Sequence, residues 1–212
     1  MTEGHVPEIR PLPDGPLSMK RVERLVDSRG EPIEHGATTA LCRCGESKRK
    51  PFCDGSHVAA GFRDERLNDG SNDRRVDYEG NGVTIHDNRS ICSDAGFCTG
   101  NLPSVFLSGQ TPWIDPLGAD ADEIIRVVKL CPSGALSHSV DGVEHRDQER
   151  PPAVEVGKNG PYNVTGGVIL HHDAHAEGAS CEHYALCRCG ASHNKPYCDG
   201  KHLRTGFIDE ED

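Results

Sequence analysis

Cys42, Cys44, Cys53 and His57 fall within one 16-residue stretch. Cys187, Cys189, Cys198 and His202 repeat the set at the same spacing, 145 residues later. Thiolate sulfur and imidazole nitrogen are ligands for zinc or for an iron–sulfur cluster. Structural zinc sites typically wrap one ion with a Cys-x₂₋₄-Cys knuckle, and Cys-x-Cys is tight for that geometry. Cys53 and His57 are four residues apart, so on a helical turn both face the same way. Two close pairs on separate elements suit two irons bridged by sulfide, one pair per iron. Zinc stays open as the alternative.

The elements that must position these ligands are themselves repeated. Ala40–His57 reads ALCRCGESKRKPFCDGSH, and Ala185–His202 reads ALCRCGASHNKPYCDGKH. Thirteen of the 18 positions are identical, where average residue usage gives about one by chance. The same offset aligns Gly15-Pro16 with Gly160-Pro161 and Gly61-Phe62 with Gly206-Phe207. Each copy opens on a Gly-Pro turn and a β-leaning run, Leu17–Val26 or Tyr162–Leu170. A loop, the ligand motif and one short helical turn follow. Neither copy has the apolar residues to fold alone, so the two should pack on each other.

The expected plan is small, loop-rich and α+β. It comprises an extension (1–14), repeat one (15–66), an α+β insertion (67–145), a linker (146–159) and repeat two (160–212). In the insertion, Tyr78, Val83 and Ile85 predict a strand pair about Gly80–Gly82. Ile124, Ile125, Val127, Val128 and Leu130 recur at helical spacing. Asp120, Asp122 and Glu123 suit that helix's first turn, and Pro132 stops it.

Composition sets the outer limits. The chain has 212 residues, a net charge of −11, 34% hydrophobic and 5% aromatic residues, 24 Gly, 14 Pro and 10 Cys. A basic nucleic-acid footprint is excluded as a whole-chain property. No run approaches the roughly 20 apolar residues of a membrane helix. The opening MTEGHVPEIRPLPDGP has no export pattern, so a reducing cytoplasm is expected and disulfides are disfavoured.

Both copies resemble the CDGSH (NEET) iron–sulfur family, whose pattern is C-x-C-x₂-[ST]-x₃-P-x-C-D-G-[STA]-H. Cys42, Cys44, Ser47, Pro51, Cys53, Asp54, Gly55, Ser56 and His57 match throughout. The second copy departs at Lys201, where the family has a small residue. The resemblance implies one [2Fe–2S] cluster per motif. Cys42 and Cys44 (Cys187 and Cys189) would hold the inner iron, and Cys53 and His57 (Cys198 and His202) the outer one. It also implies a monomer with an internal pseudo-dimer. A neutral imidazole makes a cluster easier to reduce than a thiolate does and can protonate in mild acid. A cation at Lys201 is expected to favour the reduced state of the second cluster.

Cys92, Cys98 and Cys131 form a third set. A bacterial four-iron ferredoxin runs C-x₂-C-x₂-C and ends on a remote C-P. Cys92 takes the first place, Ala95 the second, Cys98 the third and Cys131-Pro132 the remote one. The segment 78–137 resembles the divergent single-cluster ferredoxin domain and the three-cysteine ferredoxins that supply cytochromes P450. Alanine cannot bind iron, so three thiolates imply a [3Fe–4S] cluster rather than [4Fe–4S]. Asp94 is a candidate oxygen ligand, and three structural thiols in a degenerate domain are the plain alternative.

Cys181 aligns with Gly36, outside the ligand set, and reads as a free thiol. His171, His172, His175 and His183 around it read as a polar loop. His86 is a candidate donor to a cluster sulfur. No nucleophile elbow, phosphate loop or dinucleotide fingerprint is present, so an electron carrier rather than an enzyme is expected. A cluster donor, store or sensor is the alternative. The acidic surface suits docking on a basic patch of a reductase or acceptor.

Overall fold

The computed structural model describes residues 6–68, 73–172 and 176–209. In chain order the first repeat gives β1 (Glu8–Pro11), β2 (Leu17–Lys20), β3 (Arg24–Val26), β4 (Thr38–Leu41) and α1 (Ser56–Ala59). The insertion gives β5 (Val76–Glu79), β6 (Thr84–Asp87), α2 (Phe97–Asn101), α3 (Ala121–Val128), β7 (Leu136–Val140) and β8 (Val143–His145). The second repeat gives β9 (Ala153–Val156), β10 (Tyr162–Thr165), β11 (Ile169–Leu170), β12 (Tyr184–Leu186) and α4 (His202–Thr205). Among the described residues these strands build three four-stranded sheets. The protein is small, α+β and rich in loops, as expected.

The two repeats exchange strands. One sheet runs β11-β1-β2-β4 and the other β12-β10-β9-β3. β3 leaves its own repeat and pairs parallel with β9, in register Arg24↔Ala153. β11 makes the reciprocal crossing onto β1, in register Glu8↔Ile169. These registers are equivalent under the 145-residue offset. The runs read as continuous, Leu17–Val26 and Tyr162–Leu170, therefore each break in two. The break falls at Arg21 (φ 57) and Gly166 (φ 77), both left-handed. The 146–159 stretch read as a linker contains β9, and the 1–14 extension contains β1.

A shared core fixes the exchange. Ile9, Leu17, Leu25 and Leu41 from one repeat are buried with Val154, Tyr162, Val164 and Leu186 from the other. The pseudo-two-fold axis passes between Cys44 and Cys189, which form an isolated antiparallel bridge. A Cβ on Gly45 would come 2.8 Å from the Cys189 carbonyl oxygen, and one on Gly190 would come 2.6 Å from that of Cys44. Only glycine lets the two backbones meet there.

The insertion has its own core of Val83, Ile85, Phe106, Ile124, Val127 and Leu136. β5 and β6 form the expected hairpin. Asp120 caps α3, accepting from Glu123 N–H at 2.9 Å. Leu130 lies beyond the helix end and is exposed, unlike the buried Ile124, Val127 and Val128. Ile91 and Ala135 belong to the shared core of the repeats, so the insertion is docked on them. Among the described residues no helix is long and apolar enough to cross a membrane.

Candidate metal centres

Each repeat folds its ligand motif back on itself. The Cys42 N–H donates to Pro51 O at 2.8 Å, and the Cys53 N–H to Ala40 O at 2.8 Å. The second copy repeats this with Cys187 to Pro196 (2.8 Å) and Cys198 to Ala185 (2.9 Å). The Ser47 hydroxyl donates to Phe52 O, and the Ser192 hydroxyl to Tyr197 O, both at 2.6 Å. The Asp54 carboxylate accepts from the N–H groups of Lys48 (2.8 Å) and Ser56 (3.0 Å). Its hydrogen bonds, Ser56 foremost, hold it well below the usual carboxylate range. Asp199 accepts in the same way from His193 and Lys201. The CDG aspartate is thus a staple between the ligand loop and the helical turn that carries the histidine.

The ligands meet as pairs. Cys42 Sγ and Cys44 Sγ are 3.6 Å apart, and Cys187 Sγ and Cys189 Sγ 3.8 Å. Cys53 Sγ and His57 Nδ1 are 3.5 Å apart, and Cys198 Sγ and His202 Nδ1 3.4 Å. A metal–sulfur bond of about 2.3 Å at the tetrahedral angle sets two sulfurs about 3.8 Å apart, and a sulfur and an imidazole nitrogen about 3.6 Å apart. All four pairs therefore have the bite of a tetrahedral metal. Among the described residues no three His, Cys, Asp or Glu converge on one ion position. The residues fit a two-iron group, one pair per iron.

Electrostatics agree with thiolate ligation. The hydrogen bond within the first pair pulls Cys42 down to about 6 and pushes Cys44 up. In the second copy Cys189 falls to about 6 and Cys187 rises, again through the bond between them. The hydrogen bond inside each pair therefore favours loss of its first proton. A buried arginine lies between each pair of cysteines in sequence. Arg43 donates to the carbonyls of Gly15 (2.6 Å) and Leu12 (2.5 Å) and to Asp64 (3.0 Å). Arg188 donates to Gly160 O (2.9 Å), Gly157 O (2.6 Å) and the Asp209 carboxylate. Both arginines are identical in the two copies, a signal that ligand chemistry alone does not use. Tyr162 carries no such signal, and its hydroxyl reaches across to the first ligand loop.

The third trio surrounds a cavity. Cys92, Cys98 and Cys131 all line a space of about 200 Å³, with Ala95 on its exposed rim. Cys98 is carried by α2, and Cys131 follows α3. Cys131 packs against both hydrophobic cores, so it sits on the seam between them. Burial pushes Cys92 up to about 11 and raises Cys98 as well. Asp87 and Ser93 also line the space, and Asp87 Oδ1 and Ser93 Oγ are buried without a hydrogen-bond partner. Three thiols around one cavity, with the Ser93 hydroxyl able to donate to a cluster sulfur, fit a cluster held by three sulfurs.

Other candidates resolve differently. Asp94 lines the rim, is exposed, and lies against Gly200 of the second motif. His86 has no ring nitrogen to spare for a cluster sulfur, since both are engaged, by Asp77 (2.7 Å) and Ser139 (2.6 Å), across the insertion's sheet. Cys181 is an exposed free thiol, as read. His171 is paired with Glu8 at 2.6 Å, and His183 with Glu182 at 2.9 Å. His172 has partners of its own. His175 lies outside the described residues.

Comparison with known proteins agrees with this layout. Residues 14–58 and 159–203 match the family described as "Iron-binding zinc finger CDGSH type". Residues 78–141 match "Divergent 4Fe-4S mono-cluster". The chain is 33% identical over 61 residues to "Uncharacterized protein YjdI" of Escherichia coli strain K12, and equally to that of strain O157:H7. That alignment covers 29% of this chain and 80% of each relative. No solved structure matches the chain. Two CDGSH motifs, each with paired ligands, flank a divergent ferredoxin segment, and the chain belongs to the CDGSH iron-binding family as an iron–sulfur protein.

Proposed function

We propose that this protein is an electron carrier with three iron–sulfur sites and no catalytic turnover of its own. Cys42, Cys44, Cys53 and His57 would hold one [2Fe–2S] cluster, and Cys187, Cys189, Cys198 and His202 a second. Cys92, Cys98 and Cys131 would hold a [3Fe–4S] cluster, since Ala95 occupies the place of a fourth thiolate. Bound clusters supply one-electron reduction and oxidation. The chain's own residues set the conditions: buried Arg43 and Arg188 offset thiolate charge, and the Asp54 and Asp199 staples fix the His-bearing turns. The division of each motif into two chelating pairs is the observation that supports this reading best. Reduced thiols suit the cytoplasm, and the strand-exchanged halves suit a monomer that meets separate redox partners.

Iron and sulfide counting with electron paramagnetic resonance tests it. About seven irons per chain are expected, with an oxidised [3Fe–4S] signal alongside silent oxidised [2Fe–2S] centres. About four irons and no oxidised signal would remove the inserted cluster. A colourless protein with stoichiometric zinc would remove the whole reading. A second reading, cluster donation, draws on the half-buried position of His57. Transfer to an apo-ferredoxin without reductant or chelator would favour it.

A further inference from the structure

The two motifs match almost residue for residue, yet their outer ligand pairs have different surroundings. Nothing lies within 4 Å of the point where a Cβ on Gly55 would stand. The same point on Gly200 is 2.7 Å from Asp94 Cβ. Cys198 and His202 are buried, at 2% and 7% exposure, whereas Cys53 and His57 are half-buried. The cover belongs to the insertion and the segment leading into it. The Asn194 side chain donates to Ser90 O at 2.7 Å and accepts from Arg66 at 2.6 Å. The Asn68 N–H donates to His193 O at 2.9 Å. In the first motif Arg49 stands at the place of Asn194 and is exposed, whereas Asn194 is buried. Asp94, which lies against Gly200, also lines the cavity of Cys92, Cys98 and Cys131, so the rim of the inserted site stands beside this pair.

We propose that the insertion is a fixed cover over the Cys198–His202 pair, leaving the Cys53–His57 pair as the port where a one-electron carrier protein docks. This rests on the iron–sulfur reading above. Electron exchange falls steeply with distance, so a partner must approach the ligand pair that meets solvent. Val58, next to His57, is 77% exposed, and Ala59 and Ala60 extend that rim. One electron passes per encounter, between this chain and a reduced or oxidised carrier of the same class.

Brief diethyl pyrocarbonate treatment of the whole chain after its metal has been removed, read by peptide mass spectrometry, reports imidazole access without the block that iron ligation puts on the ring. His57 is expected to react at least about tenfold faster than His202, as a local-opening requirement at the covered site implies. Asn194→Ala should bring His202 towards the His57 rate. Equal rates in the unaltered chain would overturn the cover. In cluster-loaded protein a chelator should release the iron of the first motif ahead of the rest, with His57→Cys slowing only that early phase. A single phase would overturn the port. Protein that takes up no iron would defeat the iron–sulfur reading and the port with it, and the labelling ratio would still decide the cover.

Discussion

The Tyr162 hydroxyl lies 2.7 Å from the carbonyl oxygen of Cys42 and 3.0 Å from that of Pro51. A strand of the second repeat thereby grips the ligand loop of the first. The grip is one-sided, because Leu17 stands at the equivalent place in the first repeat. Tyr162→Phe keeps the buried ring and deletes the donor, leaving the Cys42 carbonyl short of a partner while Pro51 O keeps the Cys42 N–H. A loss of about 1–3 kcal/mol is expected in denaturant unfolding. Metal should leave the first motif faster and the second at its former rate.

Arg188 is almost fully buried and supplies donors to two carbonyls and to Asp209. Arg188→Ala strands the Gly160 carbonyl and the Asp209 carboxylate, while Gly157 O keeps the Gly160 N–H, and a loss of about 3–5 kcal/mol is expected. Arg188→Lys should rescue little, since one ammonium cannot reproduce a planar fork. Unfolding midpoints of the two variants measure the difference.

Asp87 is buried in the wall of the inserted cavity and accepts from Trp113 Nε1 at 3.0 Å. Burial pushes its acid up to about 6. Between the ordinary value of 3.8 and this one, the folded chain binds more protons than the unfolded chain. Its contribution to stability therefore falls as pH rises through that window. Asp87→Asn keeps an acceptor for Trp113 and removes the charge. The variant should gain stability at pH 7, on the order of 2 kcal/mol. The gain should fade towards pH 4, as paired unfolding curves across that range would record.

Gly55 and Gly200 both have left-handed backbones, at φ 90 and φ 79. Alanine at either place costs about 1–2 kcal/mol in backbone strain. At Gly200 the new methyl also meets Asp94 Cβ. Gly200→Ala is expected to be the more damaging, and Asp94→Gly should relieve only that excess. A double-mutant cycle on unfolding free energy separates the two costs.

The candidate ligands were legible because each must be Cys or His at fixed spacing, twice over. Helix α3 was legible too, through its apolar row and Asp120. The strand exchange was not. Glu8–Pro11 and Ala153–Val156 share no residue at aligned positions, so β1 and β9 escaped the repeat. Arg21 at a left-handed φ is no turn signal, although its counterpart Gly166 is. Whether a two- or three-residue strand joins its own sheet or its neighbour's depends on the edge it finds, which no local pattern records. The cover over His202 rests on single hydrogen bonds from Asn194, Arg66 and Asn68, and such contacts leave no periodic trace.

The exchange of β3 and β11 also orders events in time. The first sheet lacks an edge until residues 169 and 170 have been made. The loop bearing Cys42 lacks its Tyr162 grip until the same stretch of synthesis. A nascent chain that has completed its first four ligands therefore has no finished place to put them, and metal loading of either motif must wait for both halves. Cutting the backbone between 146 and 152 would not undo this interlock. The two pieces would remain laced by parallel strands, and each alone would present an open edge to whatever chain it met first.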